Sequence, residues 1–394
     1  MKENSFALCA FYLCTSMQNA MRIRKIIRTC AFLALLFTIA SCEKKETIPE
    51  LTIPDSYDGS SFASYAAQEI ALISNLNNLI AVLNSGNSGE PVNVRDLALG
   101  FSTNSPSVKS ATNTYFASLL EGTNGYFDRL SKASGKGYVP TGPPQGSGGV
   151  YGGFLFDSTG IEPAALIGRG LLGAALYRHA LNLYIQNPNI NNPATADQLL
   201  GVYGANPSFP NSPTAARADQ AVAALAARYD KNDGNGLYSK LKQNFIKLQA
   251  AYKAGGSYNQ QRDQAFSDIL TLWEKAQAAA AIHACHEVVS LMSAPSPSPL
   301  EKANALHRYS ECIGFLLGYK TISNKTITDT RLDELLALLN FQPQGPKAAY
   351  KIVTDPAREL ANVREVIARL KETYRFSDQE IEDLKKDWVT EQGR

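Results

Sequence analysis

Cysteine is scarce in this sequence of 394 residues, and only Cys285 and Cys312 follow residue 42. Two cysteines cannot build the disulfide framework of a small secreted domain, although they allow one bridge in an oxidising compartment.

An excess of charge of one sign is missing as well. Residues 1–41 hold five basic residues and one acidic residue, so residues 42–394 have 33 basic and 35 acidic side chains. No basic run follows residue 42, and the sequence therefore predicts no binding to nucleic acid.

Long apolar runs are also rare, and the one that matters lies at residues 31–40, directly after the basic stretch Met21–Arg28. Basic residues followed by a short apolar run are typical of a signal peptide. The run is too short for a transmembrane helix, which needs about 20 residues. We therefore predict that residues 1–41 contain a signal peptide, with translation starting at Met21 or Met17.

The predicted cleavage site lies before Cys42. The small residues Ala40 and Ser41 precede this cysteine, and a lipoprotein signal peptidase needs small side chains beside the thiol that carries the lipid. We predict that Cys42 is lipidated and becomes the first residue of the mature protein, which attaches it to a membrane.

A short tether is expected after the lipid. Residues 42–56 are charged and contain prolines, a composition that favours an extended and solvated segment. They should connect the lipid to a domain formed by residues 57–394. The mixed charges after Cys42 resemble surface-export signals of some Gram-negative lipoproteins. We expect an outer-membrane lipoprotein of the cell envelope, either facing the periplasm or exposed at the surface.

Helical periodicity dominates the rest of the chain. Apolar residues recur at helical spacing over residues 62–84, and Gly86 ends the run. Similar patterns predict helices at 93–101, 107–122, 125–134, 162–186, 214–229, 236–253, 258–292, 300–321, 329–339, 355–375 and 377–389. Only residues 150–156 alternate with period two. We predict an all-α fold of helical bundles in one large domain, with two bundle halves split near residue 200 as one arrangement.

Two irregular stretches interrupt the helical pattern. Residues 135–161 are rich in glycine and proline, and residues 187–213 are rich in asparagine and proline. Both exceed the usual length of a connection. We interpret them as insertions or hairpins, with a functional surface loop as the alternative.

Three glycines, Gly168, Gly170 and Gly173, match the spelling of a dinucleotide-binding fingerprint. That motif needs a strand leading directly into the glycine turn and an acidic residue about 20 positions later. Here the glycines lie within the predicted helix 162–186 and the acidic residue is missing. The pattern favours close packing of a central helix over a cofactor site.

Most of the histidines lie on two consecutive predicted helices. His283 and Glu287 are four residues apart on the first, and His307 and Glu311 are four apart on the second. Each pair therefore shares one helix face, and His286 widens the first stripe. The proline-rich segment 294–299 should fold the helices into an antiparallel hairpin, which brings both pairs to similar height.

Two imidazoles and two carboxylates that converge in a bundle are ligands for zinc, manganese or iron. Two alternatives stay open: a structural network in which histidine and glutamate satisfy each other, or exposed and unrelated residues. Cys285 and Cys312 point away from their histidines around the helix axis, so we interpret them as core residues rather than ligands.

Several segments resemble a family of bacterial lipoproteins that is known only as a domain of unknown function and is related to the imelysin-like proteins. The resemblance loosely covers residues 54–390 and is carried by Pro54–Tyr57, Gly160–Pro163, Arg169–Ala174, Tyr177 and His307–Phe315. It implies a helical fold of two related bundles, a surface or periplasmic location and a link to iron.

The resemblance also bears on catalysis, because imelysin is described as a metallopeptidase with a Gly-x-His-x-x-Glu motif. The best matches here are residues 281–286 and 305–310, where alanine replaces the glycine and the acid has moved on by one position, to Glu287 or Glu311. This departure disfavours an enzyme. We expect a non-catalytic binding protein, linked to a metal or an iron-containing ligand. A divergent metallopeptidase and a purely structural or partner-binding lipoprotein are the alternatives.

Overall fold

The computed structural model describes residues 48–185, 192–342, 345 and 347–394. The predicted signal peptide and the lipidation site Cys42 lie outside the described residues. The chain divides into two units, residues 1–50 and residues 51–394, and the helices and strands given below all belong to the second. Within the described residues, no helix combines the length and apolar character needed to cross a membrane.

The described chain is nearly all helical, which confirms the all-α prediction. In chain order the elements are α1 (Phe62–Tyr65), α2 (Ala67–Ser85), α3 (Val94–Ser102), α4 (Val108–Ala111), α5 (Thr114–Leu120), α6 (Tyr126–Ala133), β1 (Gly148–Tyr151), β2 (Phe154–Asp157), α7 (Pro163–Leu171), α8 (Arg178–Ile185), α9 (Ala194–Tyr203), α10 (Ala221–Arg228), α11 (Leu237–Ala254), α12 (Asn259–Met292), α13 (Pro299–Gly318), α14 (Asp329–Leu338), α15 (Lys351–Thr354), α16 (Pro356–Tyr374), α17 (Asp378–Asp383) and α18 (Trp388–Gln392). A π-helical segment, Leu172–Tyr177, joins α7 to α8, and short 3-10 turns lie at Gly86–Ser88 and Gly256–Tyr258.

Helix α12 is the central element of the core. It packs against α10, α11, α13 and α16, while α13 also packs against α7. Trp273 and the alanines between residues 276 and 281 are buried on α12. These small side chains leave room for neighbours on several sides, so this helix is buried around most of its circumference.

The hairpin expected between the two histidine-bearing helices is present. Helix α12 ends at Met292, and α13 begins at Pro299 and lies against it. Ser298 and Glu301 form a capping box at the start of α13, and Pro299 occupies its first position. Both features favour helix initiation at this residue.

The glycine- and proline-rich stretch forms the predicted hairpin. Strands β1 and β2 pair antiparallel, with Tyr151 opposite Phe154. The two residues between them, Gly152 and Gly153, both have positive φ, as a tight two-residue turn requires. A Cβ on Gly152 would lie 2.3 Å from the Cβ of Ala303, so the turn rests directly on α13.

Several predicted boundaries were wrong. The irregular stretch 187–213 contains helix α9, whose side chains are almost all buried, so it lacks the polar face that identifies a surface helix. The helix predicted at 214–229 begins only at Ala221. The predicted helix 107–122 is broken into α4 and α5, because the Asn113 side chain caps a new helix by accepting from Phe116 N.

Two glycines of the apparent dinucleotide motif allow close packing, which confirms the packing interpretation: a Cβ at Gly170 would lie 2.1 Å from Phe116 Cζ, and one at Gly173 would lie 2.9 Å from the Gly318 backbone. Helices α7 and α13 also meet in a glycine seam. A Cβ at Gly314 would lie 2.5 Å from the backbone oxygen of Leu166, and one at Gly318 would lie 2.4 Å from the backbone oxygen of Gly170. Real Cβ atoms do not approach so closely. The two helix backbones therefore touch only because these positions carry no side chain.

Candidate functional site

His307 on α13 links two buried carboxylates. Its Nδ1 donates to Oε2 of Glu162 at 2.5 Å, and its Nε2 lies 3.7 Å from Oε1 of Glu311. The ring also stacks on Phe154 of β2, with centroids 4.5 Å apart. The two carboxylates therefore lie at opposite nitrogens of one imidazole.

Glu311 is held by two arginines. Arg169 of α7 donates from Nε and Nη2 to Oε1, at 2.8 and 2.5 Å, and Arg308 donates from Nη1 to Oε2 at 2.8 Å. Burial alone would raise the pKa of Glu311, but the charges of Arg169, His307 and Arg308 outweigh it and lower the pKa to about 2. Both oxygens of this carboxylate are thus occupied by charge-assisted hydrogen bonds.

Glu162 connects the start of α7 to the same helix, α13. Its backbone N–H donates to Ser310 Oγ at 2.9 Å, and Ser310 donates in turn to the carbonyl of Leu306 at 2.8 Å. Burial raises the pKa of the Glu162 carboxyl in spite of the hydrogen bond from His307. We name Glu162, Arg169, His307, Arg308 and Glu311 the α7–α13 polar network.

His283 is oriented toward a different part of the chain. Its Nδ1 donates to the carbonyl of Leu384 at 2.9 Å, and its ring lies 5.0 Å from that of Tyr229. Burial lowers the pKa of His283, which favours the neutral ring. The neighbouring His286 has a buried Nε2 without a hydrogen-bond partner among the described residues, and burial lowers its pKa as well.

The four residues expected to bind a metal do not meet as one set of ligands. Among the described residues, no group of three or more His, Cys, Asp or Glu side chains is placed to hold a metal ion. His307 and Glu311 are close together, but Arg169 and Arg308 occupy the carboxylate, and His283 bonds to Leu384. Helical spacing correctly predicted that His307 and Glu311 share a face, but it did not predict that Arg169 of α7 and Arg308 of the same helix bind the Glu311 carboxylate.

Cys285 and Cys312 are buried, as expected for core residues, and both are free thiols. Their sulfur atoms lie 3.3 Å apart across the α12–α13 hairpin. The hydrogen bond with Cys285, together with burial, raises the pKa of Cys312 well above its usual value. These residues are neighbours that share a hydrogen bond but no disulfide, and neither contributes to the polar network.

A large concave surface lies elsewhere, around the first residues of the domain. This cleft has a volume of about 870 Å³. Its walls come from the segment 56–59, from α1 and α2, from the loop 204–208, from the loop 215–220 and from Lys242 of α11. Most of its lining side chains are small or apolar, among them Phe62, Ala63, Ile70 and Ile73. We call it the N-terminal cleft.

The first wall of the N-terminal cleft is fixed by polar contacts, one of them buried. Tyr57 donates to Oδ1 of Asp197 at 2.6 Å, and burial raises the pKa of this tyrosine above its usual range. Asp58 N donates to Oε1 of Gln249, whose Nε2 donates back to the Asp58 carbonyl, both at 2.9 Å. Lys253 adds an ion pair with Asp58. The segment that enters the domain is therefore anchored to α9 and α11.

The opposite wall is held by Asp219. Its Oδ1 accepts from Asn206 N at 2.8 Å, and its Oδ2 accepts from the Tyr238 hydroxyl at 2.5 Å. Burial raises the pKa of Asp219. Asn77 of α2 also donates to Oε1 of Gln220 at 3.2 Å, which joins the loop 215–220 to α2. The cleft is therefore formed before any ligand enters.

The charged residues of the N-terminal cleft are both cationic. Arg217 and Lys242 line it, and none of the described lining residues is acidic. Neither cation makes a hydrogen bond or an ion pair within the described part of the chain. The nearby Lys253, by contrast, is paired with Asp58.

Only indirect signals in the sequence point to these groups. Glu162 and Arg169 stood in the segments that carried the family resemblance, without an assigned role. The loop 204–208 lies in the irregular stretch 187–213, for which a functional surface loop is the alternative to an insertion or hairpin. Tyr57 likewise stood in a segment that carried the resemblance, whereas Arg217 had no signal, because its role depends on residues far away in the chain.

Comparison with known proteins adds no family assignment: no family model matches this chain, and no curated protein or solved structure matches it.

Proposed function

We propose that this protein is a lipid-anchored, non-catalytic binding protein of the bacterial cell envelope, and that its ligand occupies the N-terminal cleft. The observation that carries the proposal is the cleft itself, with a volume of about 870 Å³. Small-molecule sites are typically preformed, mostly apolar cavities of about 300–1,000 Å³ with a few polar groups. The N-terminal cleft agrees with each of these properties.

A binding role is also supported by the state of the α7–α13 polar network. Its carboxylates are paired with histidine and arginine side chains, and the Ser310 hydroxyl is engaged with backbone groups. A hydrolytic metal site would need several ligands around an open coordination position. The network instead resembles a satisfied buried cluster, which favours a scaffold role over the metallopeptidase alternative.

The proposed anchor would keep the cleft close to a membrane. Ser56 lines the cleft, and the chain from Cys42 to Ser56 can span at most about 50 Å when fully extended. A ligand bound there would thus be held within reach of the bilayer surface. This placement suits a protein that receives or presents a small molecule at the envelope.

The anchoring part of the proposal is tested with Cys42→Ala in the full-length protein. We expect the wild type to fractionate with membranes and to incorporate a labelled fatty acid. The variant should be released by a carbonate wash and remain unlabelled. A Cys42→Ala protein that stays fully membrane-bound would contradict lipid anchoring.

The binding part is tested by filling the cleft. Ala63 is an exposed residue that lines it, so Ala63→Trp should obstruct the cleft with little effect on the core. Ala361→Trp, at an exposed position on α16, is the matched control. Native mass spectrometry of protein isolated from the bacterial envelope should find a bound small molecule on the wild type and on Ala361→Trp, and none on Ala63→Trp. Equal occupancy in all three would refute binding in this cleft.

A further inference from the structure

We infer that the ligand of the N-terminal cleft is an amphipathic anion, of the class of long-chain fatty acids, with its carboxylate between Arg217 and Lys242. This inference rests on the proposed function and specifies the chemistry of the ligand. It follows from the charge, the apolar surface and the position of the cleft.

The positive charge of the cleft favours a negatively charged ligand. Arg217 and Lys242 come from two separate elements, the loop before α10 and helix α11, and both line the same cavity. Each lacks an anionic partner within the described residues, and no described lining residue is acidic. A carboxylate would form ion pairs with both cations, whereas an ammonium group would be repelled by them.

The apolar part of the cleft accommodates the body of the ligand. Ile70 is 42% exposed although it lies on a helix whose other apolar side chains are mostly buried. It lines the cleft together with Phe62 and Ile73. Ile73 is already buried, so the gain comes from Phe62 and Ile70: covering them with an alkyl chain would remove apolar area from water, at about 25 cal/mol per Å².

Small residues form much of the surface of the cleft. Gly201 of α9 lies so close to the junction of α1 and α2 that a Cβ there would be 2.8 Å from Ala66 Cβ, and Gly59 similarly contacts Pro207. The elements that form the cleft are thus packed directly against each other at these lining positions, and many of the lining residues are alanine, glycine or serine. Such a surface offers shape and apolar contact rather than many hydrogen bonds, as an alkyl chain requires.

The test uses three ligands with the same tail and different heads: hexadecanoate, hexadecanol and hexadecylamine. Calorimetry measures the affinity of each compound for the full-length Cys42→Ala protein, below the critical micelle concentration of the compound. We expect hexadecanoate to bind about tenfold more tightly than hexadecanol, which corresponds to two partly exposed ion pairs, and hexadecylamine to bind most weakly. The preference for hexadecanoate should decrease as salt is added.

Charge variants identify the groups responsible. The double variant Arg217→Gln/Lys242→Gln should bind hexadecanoate and hexadecanol equally. Lys240→Gln is the matched control, because Lys240 lies two positions from Lys242 on the same helix and does not line the cleft. It should keep the tenfold preference. Equal affinity for the three heads in the wild type, or a preference that survives the double variant, would overturn the inference.

Ala63→Trp distinguishes failure of the inference from failure of the proposed function. If it abolishes the binding of all three compounds while the wild type shows no head-group preference, the cleft binds apolar ligands and only the anionic class is wrong. If hexadecanoate binds the wild type and Ala63→Trp equally well, the compound binds elsewhere and the role of the cleft is wrong. If none of the three binds but the envelope ligand is lost from Ala63→Trp, only the fatty-acid class is wrong.

Discussion

The glycine seam between α7 and α13 provides a sharp test of the packing, because two substitutions of the same type should have opposite effects. In Gly314→Ala the new Cβ would lie 2.5 Å from the Leu166 backbone oxygen and 3.1 Å from Arg169 Cβ. A backbone oxygen in a helix cannot rotate away, so α7 and α13 must separate by several tenths of an ångström. The change would also strain the neighbouring contact between Arg169 and Glu311.

The expected magnitude combines two opposing terms. Overpacking a core position costs about 1–3 kcal/mol, and here the clash is with main chain, so the upper part of that range applies. Replacing glycine by alanine within a helix returns about 1 kcal/mol. We therefore expect Gly314→Ala to lower the free energy of unfolding by about 2 kcal/mol.

Gly168→Ala is the matched control on the facing helix. A Cβ there would meet only the Ile80 side chain, at 3.7 Å, an ordinary contact. We expect this variant to be stabilised by up to about 1 kcal/mol. Urea unfolding of both variants, with unchanged m values, measures the difference. If Gly314→Ala were as stable as Gly168→Ala, the two backbones would not be in contact and our account of the seam would be refuted.

Three further predictions concern the buried polar groups. The pKa of Glu311 is lowered to about 2. Its ion pairs therefore stabilise the fold fully at pH values above the usual glutamate pKa of about 4.5. This contribution of about 3 kcal/mol is lost as the pH falls toward 2. Glu311→Gln should therefore cost far more stability in urea at pH 7 than at pH 3, and an equal loss at both pH values would contradict the pairing. Cys285 and Cys312 should resist alkylation in the native protein, since burial and the raised pKa of Cys312 suppress the thiolate. Both should be alkylated after unfolding without reductant. A disulfide between them, found by mass spectrometry, would disprove this. His307→Ala should destabilise the protein by about 1–3 kcal/mol because Glu162 loses its buried partner, and thermal melts should show the same loss with a chelator as with zinc, manganese or iron. A metal that raises the melting temperature of the wild type and not of His307→Ala would revive the metal-site hypothesis.

Local features of the sequence determined much of the architecture. Apolar spacing gave most of the helices, proline and a capping box defined the turn before α13, and glycines defined the β1–β2 hairpin. The small residues of α7 correctly indicated close helix packing, and the angular positions of the two cysteines correctly placed them in the core. Each of these signals acts over a few residues, where helix geometry or backbone freedom is decisive.

The candidate sites were decided by the tertiary structure. His307 and Glu311 share a helix face, as their spacing predicts, but their partners Glu162 and Arg169 lie 145 and 142 residues away in the chain. Those partners turned an expected metal site into a network of paired charges. The N-terminal cleft likewise combines segments near residues 57, 205, 217 and 242, and no local pattern marks such a surface. Helix α9 escaped sequence detection because it is buried on nearly all sides, so its sequence carries no amphipathic period.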